Sequence, residues 1–193
     1  HGWMFGVPLQ SRKTYGYLYT DATTPKETAQ ADMKRLLNVE TLDDKEYVFK
    51  TYYTPKIMDG RLGRNGNKAL FFEPLVANSI FIYLYVARSF YDAMVHEVDT
   101  DTINTQFMGV AQQMEDVISY YYQGGSTFDS PFWDYAAEMT QGRLSKRRPF
   151  RKQMNQYRRM KRDGILNHAQ AYGFGPLNWE IIDEAMGYHY IAS

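Results

Sequence analysis

Pro74 divides the chain into two segments of different character. Before it, short aromatic and β-branched runs alternate with turns containing glycine and proline, which is typical of strands. After it, apolar residues recur at three- and four-residue spacing, which is typical of helices packed on a core. The order of these segments predicts an α+β fold, with a strand-rich part over residues 1–75 and a mainly helical part over residues 76–193.

The first part contains signals for strands, turns and one helix. Strand signals on either side of a polar turn predict a hairpin or two neighbouring strands at the start of the chain. The predicted elements, in order, are strands over residues 2–8 and 15–19, a helix from Thr24-Pro25 to about Asn38, a strand over Tyr47–Tyr53, a loop over Pro55–Asn67 and an apolar strand over Ala69–Phe72.

The second part follows Pro74, a proline placed where a helix can start, since its missing N–H has no intrahelical partner there. The predicted helices are Leu75 to about Met94, Thr102–Tyr122, Ser130 to about Thr140 and Leu177–Met186. The first of them carries a periodic apolar set that we expect to face the core: Val76, Ile80, Tyr83, Leu84, Ala87, Phe90, Tyr91 and Met94.

Composition excludes several classes of chemistry. The chain has no cysteine, so thiolate nucleophiles, disulfides and cysteine-ligated metals are excluded within it. The four histidines are scattered without metal-binding spacing, and we expect no metal site. No long apolar run or secretory signal occurs, which predicts a cytoplasmic protein without a membrane partner. The first residue is His1 rather than Met, so we expect natural polypeptide upstream of it.

A basic segment runs from Arg143 to Arg162, with ten basic and no acidic residues. The whole chain is formally neutral, so the remainder is acidic by the same amount. With Phe150 and Tyr157 interleaved, the segment could form a nucleic-acid or polyanion surface. A solvated helix face that meets acidic groups of the same protein or a partner is the preferred interpretation, so we do not expect a nucleic-acid partner.

Three stretches together resemble flavin-dependent halogenases of the tryptophan-halogenase type. Gly2-Trp-Met-Phe-Gly-Val-Pro8 is similar to the family's W-x-W-x-I-P signature, with Phe5 for the second tryptophan. Residues 65–79, NGNKALFFEPLVANS, resemble the segment that ends F-x-E-P-L-E-S/A-T-G/S. Tyr120-Tyr-Tyr122 followed by Asp129-Ser-Pro-Phe-Trp133 resembles the Y-Y…D-T/S-P-F-W segment on the substrate side.

The resemblance implies that the chain is the C-terminal portion of a halogenase with a flavoprotein-monooxygenase-like, FAD/NAD(P)-binding fold. No G-x-G-x-x-G occurs here, so the FAD-binding half and the catalytic lysine belong to an upstream N-terminal half. Reduced FAD from a separate flavin reductase, oxygen and a halide ion yield hypohalous acid, which passes through a tunnel to an electron-rich aromatic substrate. The expected partners are that small substrate, the reductase in trans, the upstream half and a second copy in a homodimer.

The resemblance also assigns site residues by position. Trp3, Phe5 and Pro8 line the tunnel. Asn78 and Ser79 lie at the halide and flavin end, where backbone N–H groups at a helix start suit an anion. The aromatic substrate packs against rings at four positions: Tyr121, Tyr122, Phe132 and Trp133.

Besides Phe5, three further positions depart from the family pattern. Val76 stands where tryptophan halogenases carry a glutamate near the lysine, and valine cannot stabilise charge or accept a proton. Asn78 replaces a threonine, and Phe128 replaces an acidic residue that would hold a substrate ammonium. We therefore expect an aromatic substrate other than free tryptophan.

Alternatives remain open for the function and for the site. An FAD-dependent aromatic monooxygenase that does not halogenate is favoured by the imperfect tryptophan signature and by Val76. A non-catalytic polyanion-binding module around residues 143–162 is an alternative of another class. Trp3 and Phe5 could be plain strand core, and the two aromatic pairs at 121–122 and 132–133 could only join helices.

Overall fold

A computed structural model describes residues 1–43, 45–75, 78–166 and 175–188 of the chain. These residues are mainly helical and carry three small two-stranded sheets, so the predicted α+β class is confirmed. They pack as two compact units, residues 1–47 with 120–146 and residues 48–119 with 147–193. The division of the chain at residue 75 concerns the order of element types and stays a prediction.

The first unit begins with the predicted hairpin. Strand β1 (Trp3–Pro8) pairs antiparallel with β2 (Lys13–Leu18), and the Leu9 N–H donates to the Arg12 carbonyl at 2.8 Å to close the turn. Phe5 lies opposite Gly16, and a Cβ on Gly16 would come within 2.2 Å of the Phe5 ring. Glycine is therefore needed there, because the phenyl ring covers the position.

Helix α1 (Lys26–Leu37) follows the hairpin in the same unit. It ends at Asn38, whose φ of 54° is the left-handed conformation that asparagine adopts at helix ends. Ala29 is buried, whereas Leu36, on the same face of the helical pattern, is 46% exposed. Helix α4 (Pro131–Leu144) completes the unit and begins one residue after Ser130, as predicted.

The second unit starts with short strands around a buried apolar run. β3 (Tyr52–Tyr53) pairs with β6 (Leu70–Phe71), and β4 (Met58–Asp59) pairs with β5 (Leu62–Gly63). The predicted strand over residues 47–53 is shorter than expected, because Tyr47 and Val48 are 78% and 93% exposed. A single 3-10 turn, Gly66–Lys68, leads into β6.

Helix α2 (Asn78–Val95) buries a different face from the predicted one. Ile82 and Val86 are fully buried, whereas Leu84 and Met94 are 67% and 75% exposed. Also exposed are three other members of the predicted inner set, Ile80, Ala87 and Tyr91. The helix is apolar on both faces, so periodicity did not decide which face would be inside.

Three further helices complete the described chain. Helix α3 (Thr100–Gln123) buries an apolar face on which Phe107 and Val117 are fully buried. Helix α5 (Arg148–Arg162) packs on α6 (Pro176–Met186). Within the described residues, no helix is both long and apolar enough to cross a membrane.

Candidate functional site

Four aromatic side chains form one cluster in the first unit, called here the ring cluster: Trp3, Tyr122, Phe132 and Trp133. Trp3 meets Trp133 nearly edge-on, with ring centroids 5.1 Å apart, and meets Tyr122 at 6.1 Å. Phe132 contacts Trp133 at 5.1 Å and Tyr122 at 6.2 Å, again edge to face. Such edge-to-face packing suits the quadrupoles of aromatic rings.

Three elements far apart in the sequence supply these rings. Trp3 opens β1, Tyr122 lies in the last turn of α3, and the pair Phe132-Trp133 lies in the first turn of α4. The chain turns sharply between α3 and α4 at Gly125, whose φ of 70° favours glycine. The predicted tunnel residue Trp3 and three predicted substrate residues are therefore brought together.

Trp3 and two residues close in sequence to the other cluster members have buried polar atoms that lack partners. The Nε1 of Trp3, the Oγ of Ser130 and the Oε1 of Gln123 are buried and have no hydrogen-bond partner within the described residues. Gln123 adjoins Tyr122 in the chain, and the Ser130 carbonyl accepts the N–H of Trp133 at 3.0 Å. Buried polar groups in proteins nearly always have a hydrogen-bond partner, so the missing partners of these three atoms require an explanation.

The sequence did not single out Ser130 or Gln123 as site residues. Ser130 reads as an ordinary helix start before proline, yet it makes no side-chain capping hydrogen bond. Gln123 reads as a polar residue at a helix end. Their proximity in sequence to the aromatic pairs was the only signal available. Whether a buried side-chain atom finds a hydrogen-bond partner depends on the fold, so the sequence alone does not reveal it.

The other predicted residues of this unit are at least partly exposed. Phe5 is 39% exposed and covers Gly16, and Pro8 is exposed at the end of β1. Tyr121 is half-buried, and its burial raises the pKa of the phenol. Phe128, where the family pattern has an acid, is 73% exposed. The roles assigned to these residues stay predictions.

The predicted halide residues lie in the second unit at the start of α2. Asn78 is 8% exposed, and its Nδ2 has no hydrogen-bond partner among the residues described. Ser79 follows it in the first turn, which contains no acidic residue. Val76 lies outside the described residues. An unpaired amide donor at the positive end of a helix fits an anion such as halide, or a carbonyl oxygen of a flavin ring.

The turn before this helix is fixed to it. The Nδ2 of Asn65 donates to the Tyr83 carbonyl at 3.1 Å, and the Tyr83 hydroxyl donates to the Oδ1 of Asn67 at 2.7 Å. Both asparagines flank Gly66, whose φ of 59° allows the sharp turn. The stretch from residue 65 to β6 is thus held against the first half of α2.

The basic segment forms an amphipathic helix. Phe150, Met154 and Tyr157 of α5 are buried, and most of its cations are exposed. Arg147, just before α5, pairs with the buried carboxylate of Asp116, and Lys161 lies 3.6 Å from Glu180. Part of the segment therefore meets acidic groups of the same protein, as the preferred interpretation expects.

No metal centre is formed by the part of the chain described here, since it contains no group of three or more candidate ligand side chains. His168 and His189 lie outside that part. His96 lies 4.0 Å from Asp92 and packs edge-on against Tyr91, which is a surface arrangement.

Comparison with known proteins places the chain in a family. The family described as tryptophan halogenase matches residues 1–189, and the chain belongs to it. The chain is 24% identical over 147 residues to the tryptophan 6-halogenase ThaL of Streptomyces albogriseolus, which covers 68% of this chain and 26% of that protein. The resemblance predicted from the three stretches is thereby confirmed.

Solved structures share the fold. A tryptophan halogenase from Shewanella frigidimarina and a flavin-dependent halogenase from Xanthomonas campestris each superpose with a TM-score of 0.76 and 19% identity. Both alignments cover 96% of this chain and 36% and 37% of those chains. The chain thus spans about a quarter to just over a third of the length of these relatives.

Proposed function

We propose that the chain is the substrate-side portion of a flavin-dependent halogenase that acts on an electron-rich aromatic compound. The observation that carries the proposal is the ring cluster, in which two of the three family-like stretches meet. Trp3 comes from the first stretch, and Tyr122, Phe132 and Trp133 come from the third. Two observations support this proposal. The chain belongs to a family of halogenases, and aromatic residues from that family's signatures pack together in this structure.

The ring cluster supplies a surface that suits an aromatic substrate. Indole or phenol rings are best held by offset or edge-on contacts with other rings, and Trp133 and Tyr122 would make such contacts with the substrate. Trp3 forms the end of this surface on β1. Phe5 and Pro8, further along the same strand, would line the route by which the halogenating species arrives, and Tyr121 would flank the substrate.

Asn78 and Ser79 would hold the halide and face the flavin. When bound, reduced FAD with oxygen supplies the oxidising equivalent that converts halide to hypohalous acid. The buried, unpaired Nδ2 of Asn78 supports an anion contact, because a donor without a partner gains most from a charged acceptor. Ser79 adds a hydroxyl and a backbone N–H in the first turn of α2.

The substrate is an aromatic compound other than free tryptophan. Phe128 offers no charge for an ammonium group, and its side chain is largely exposed. Valine at position 76 cannot act as an acid or a base, so proton removal from the ring falls to another group or to solvent.

Other components are proposed from the same reasoning. The upstream half of the polypeptide would contribute the FAD-binding module and the lysine, and a separate reductase would supply reduced FAD. A homodimer is the proposed assembly, and the cytoplasm is the proposed location.

The test is a halide-dependence assay on the full-length polypeptide. Purified protein, a flavin reductase, FAD, NADH and oxygen are supplied with an indole or a phenol, with and without bromide or chloride. We expect a halogenated product that depends on added halide. A hydroxylated product in equal amount without halide would instead establish the monooxygenase alternative, and release of peroxide alone would exclude both.

A further inference from the structure

Helix α5 carries a stripe of positive charge on the side that faces away from its buried residues. Phe150, Met154 and Tyr157 point inward and are buried. Because an α-helix turns once in about 3.6 residues, most of the cations of α5 fall on the other side, where they are exposed. The basic stripe, as it is called here, spans about 21 Å along the helix and consists of Arg148, Arg151, Lys152, Arg158, Arg159 and Arg162.

Most of the basic stripe has no acidic partner within the part of the chain that the structure describes. Arg162 meets the neighbouring Asp163 at 3.2 Å, and both side chains are exposed there. Four other cations form no ion pair or side-chain hydrogen bond with the described residues: Arg148, Arg151, Lys152 and Arg159. Their positive charge is therefore left to solvent or to another molecule.

The basic stripe is unfavourable for the helix by itself. Arg148 lies four positions before Lys152, and like charges at this spacing repel each other. The same holds for Arg158 and Arg162. The first turn contains no acidic residue, so Arg148 and Arg151 also lie unfavourably at the positive end of the helix dipole. An array of cations that weakens its own helix is explained better by an external counter-charge than by local stability.

Carboxylates are the anions that this segment already meets. Arg147 pairs with Asp116, and Lys161 lies 3.6 Å from Glu180. Arginine, which makes up most of the basic stripe, has a planar fork of donors that matches a carboxylate in a bidentate manner. A second helix with acidic residues three and four positions apart would present carboxylates at the same repeat as the cations of α5.

The aromatic residues of the segment do not support binding of single-stranded nucleic acid. Phe150 and Tyr157 are 7% and 1% exposed, so neither ring can stack on a base. Proteins that bind single strands without sequence preference combine cations with exposed stacking rings. The exposed side of α5 has the cations without such rings, which favours an acidic protein surface as the partner.

We propose that the basic stripe is a docking surface for an acidic helix of a second protein, rich in aspartate and glutamate. The partner's carboxylates neutralise the cations that the described chain leaves unpaired and relieve their mutual repulsion. The contact steers association electrostatically, so its strength depends on the salt concentration. The inference stands apart from the proposed function, because it concerns a protein partner and not the reaction or its substrate.

Fluorescence anisotropy of the full-length protein tests the docking surface. The probe is a labelled helical peptide of about 16 residues, roughly the length of α5, with glutamate at every third or fourth position. The comparison probes are the same peptide with glutamine for glutamate and an oligothymidylate of equal negative charge. We expect the glutamate peptide to bind and the glutamine peptide not to bind. The affinity for the glutamate peptide should fall about tenfold as the salt concentration rises from about 50 to about 200 mM.

Charge reversal at the start of α5 separates docking from folding. In Arg148→Glu with Arg151→Glu, the new carboxylates suit the positive end of the helix dipole, so the helix should be at least as stable. Binding of the glutamate peptide should nevertheless weaken about tenfold or more. The control, Arg12→Glu with Lys13→Glu, reverses two exposed cations of the first unit and changes the net charge equally. It should keep the affinity within about twofold.

Four results would overturn the docking surface. They are no binding of the glutamate peptide, equal binding of the glutamine peptide, an equal loss in both double variants, and tighter binding of the oligothymidylate, which would indicate a nucleic-acid surface instead. Circular dichroism of each variant establishes that the fold is intact. Since the assay contains neither flavin nor halide, its outcome is independent of whether the protein halogenates.

Discussion

The indole of Trp3, at the start of β1, meets the indole of Trp133, in the first turn of α4, with 5.1 Å between ring centroids and 70° between planes. This contact joins the two chain segments of the first unit. It places the first and the third family-like stretches in one cluster, although the two stretches are far apart in the sequence. The predictions below begin with the stability of this cluster.

Trp133→Ala should remove the centre of the ring cluster. The side chain is 6% exposed, and truncating a buried tryptophan typically costs about 3–5 kcal/mol. We expect hydrogen exchange of the peptide segment from α4 to accelerate by orders of magnitude in the full-length protein. Tyr135→Ala, on the same helix and 38% exposed, is the matched control and should change the exchange little. Equal effects of the two changes would contradict the assigned packing.

Asn78→Leu should weaken halide binding without lowering the stability of the fold. The change deletes a buried donor without a partner, so the free energy of unfolding should stay the same or rise slightly. The halide concentration for half-maximal rate should rise about tenfold, since a hydrogen bond to an anion is lost. Steady-state rates at varied bromide measure this. Asn155→Leu, on the exposed side of α5, is the control, and an unchanged halide requirement in Asn78→Leu would exclude the halide contact.

Arg147→Met should leave the Asp116 carboxylate buried without its cation. Arg147 Nε lies 3.0 Å from Asp116 Oδ1 off the hydrogen-bond direction, and its Nη2 donates to Oδ2 at 3.2 Å. Breaking such a pair typically costs about 3 kcal/mol or more. Denaturant unfolding should register this loss at neutral pH. The double variant with Asp116→Leu should recover much of it, because no charge is then left buried.

The pH dependence of the same variant has a defined sign. Burial raises the pKa of Asp116 above its ordinary value, although the charge of Arg147 opposes the shift. A raised carboxyl pKa contributes stability that is fully present below the unfolded pKa, about 4, and is lost as the pH rises through the folded pKa. Without Arg147 that pKa rises further, so the variant's deficit should be smaller near pH 4 than at pH 7. A deficit independent of pH would contradict an ionised Asp116 in the native pair.

Tyr157→Phe should alter stability at high pH. The Tyr157 hydroxyl donates to Asp183 at 2.8 Å between α5 and α6, and burial, together with this carboxylate, raises the pKa of the phenol. Its stabilisation is present below the unfolded tyrosine pKa, about 10, and declines above it. We expect the variant to be about 1–3 kcal/mol less stable at neutral pH and to lose less than the wild type above pH 10. If the stabilities of the wild type and the variant changed with pH in the same way, the predicted link between the Tyr157–Asp183 hydrogen bond and the phenol pKa would be ruled out. Tyr135→Phe is the exposed control.

Much of the fold followed from local patterns. The hairpin of β1 and β2, the left-handed end of α1 at Asn38 and the start of α4 at Pro131 all follow from turn, helix-end and proline signals, which act over a few positions. The inner face of α2 did not follow, because Leu84 and Ile82 lie on opposite sides of a helix that carries apolar residues on both faces. Only tertiary packing decides between such faces.

The candidate site was predictable only in part. The rings of Trp3, Tyr122 and Trp133 were identified by their likeness to family signatures, and the structure brings them together. The unpaired atoms of Ser130 and Gln123 had no signature, since an unsatisfied hydrogen bond depends on everything else that surrounds it. Such atoms become visible only once the chain is folded.

The most direct test of the account is a single-turnover reaction of the full-length protein. Chemically reduced FAD is mixed with protein, excess bromide and β-naphthol in oxygenated buffer, and the products are resolved by mass spectrometry. The account predicts brominated naphthol, with the paired bromine isotope masses, in an amount that approaches the FAD supplied and that falls sharply in Trp133→Ala. Hydroxylated naphthol without bromine, or oxidised FAD with peroxide as the only product, would contradict it.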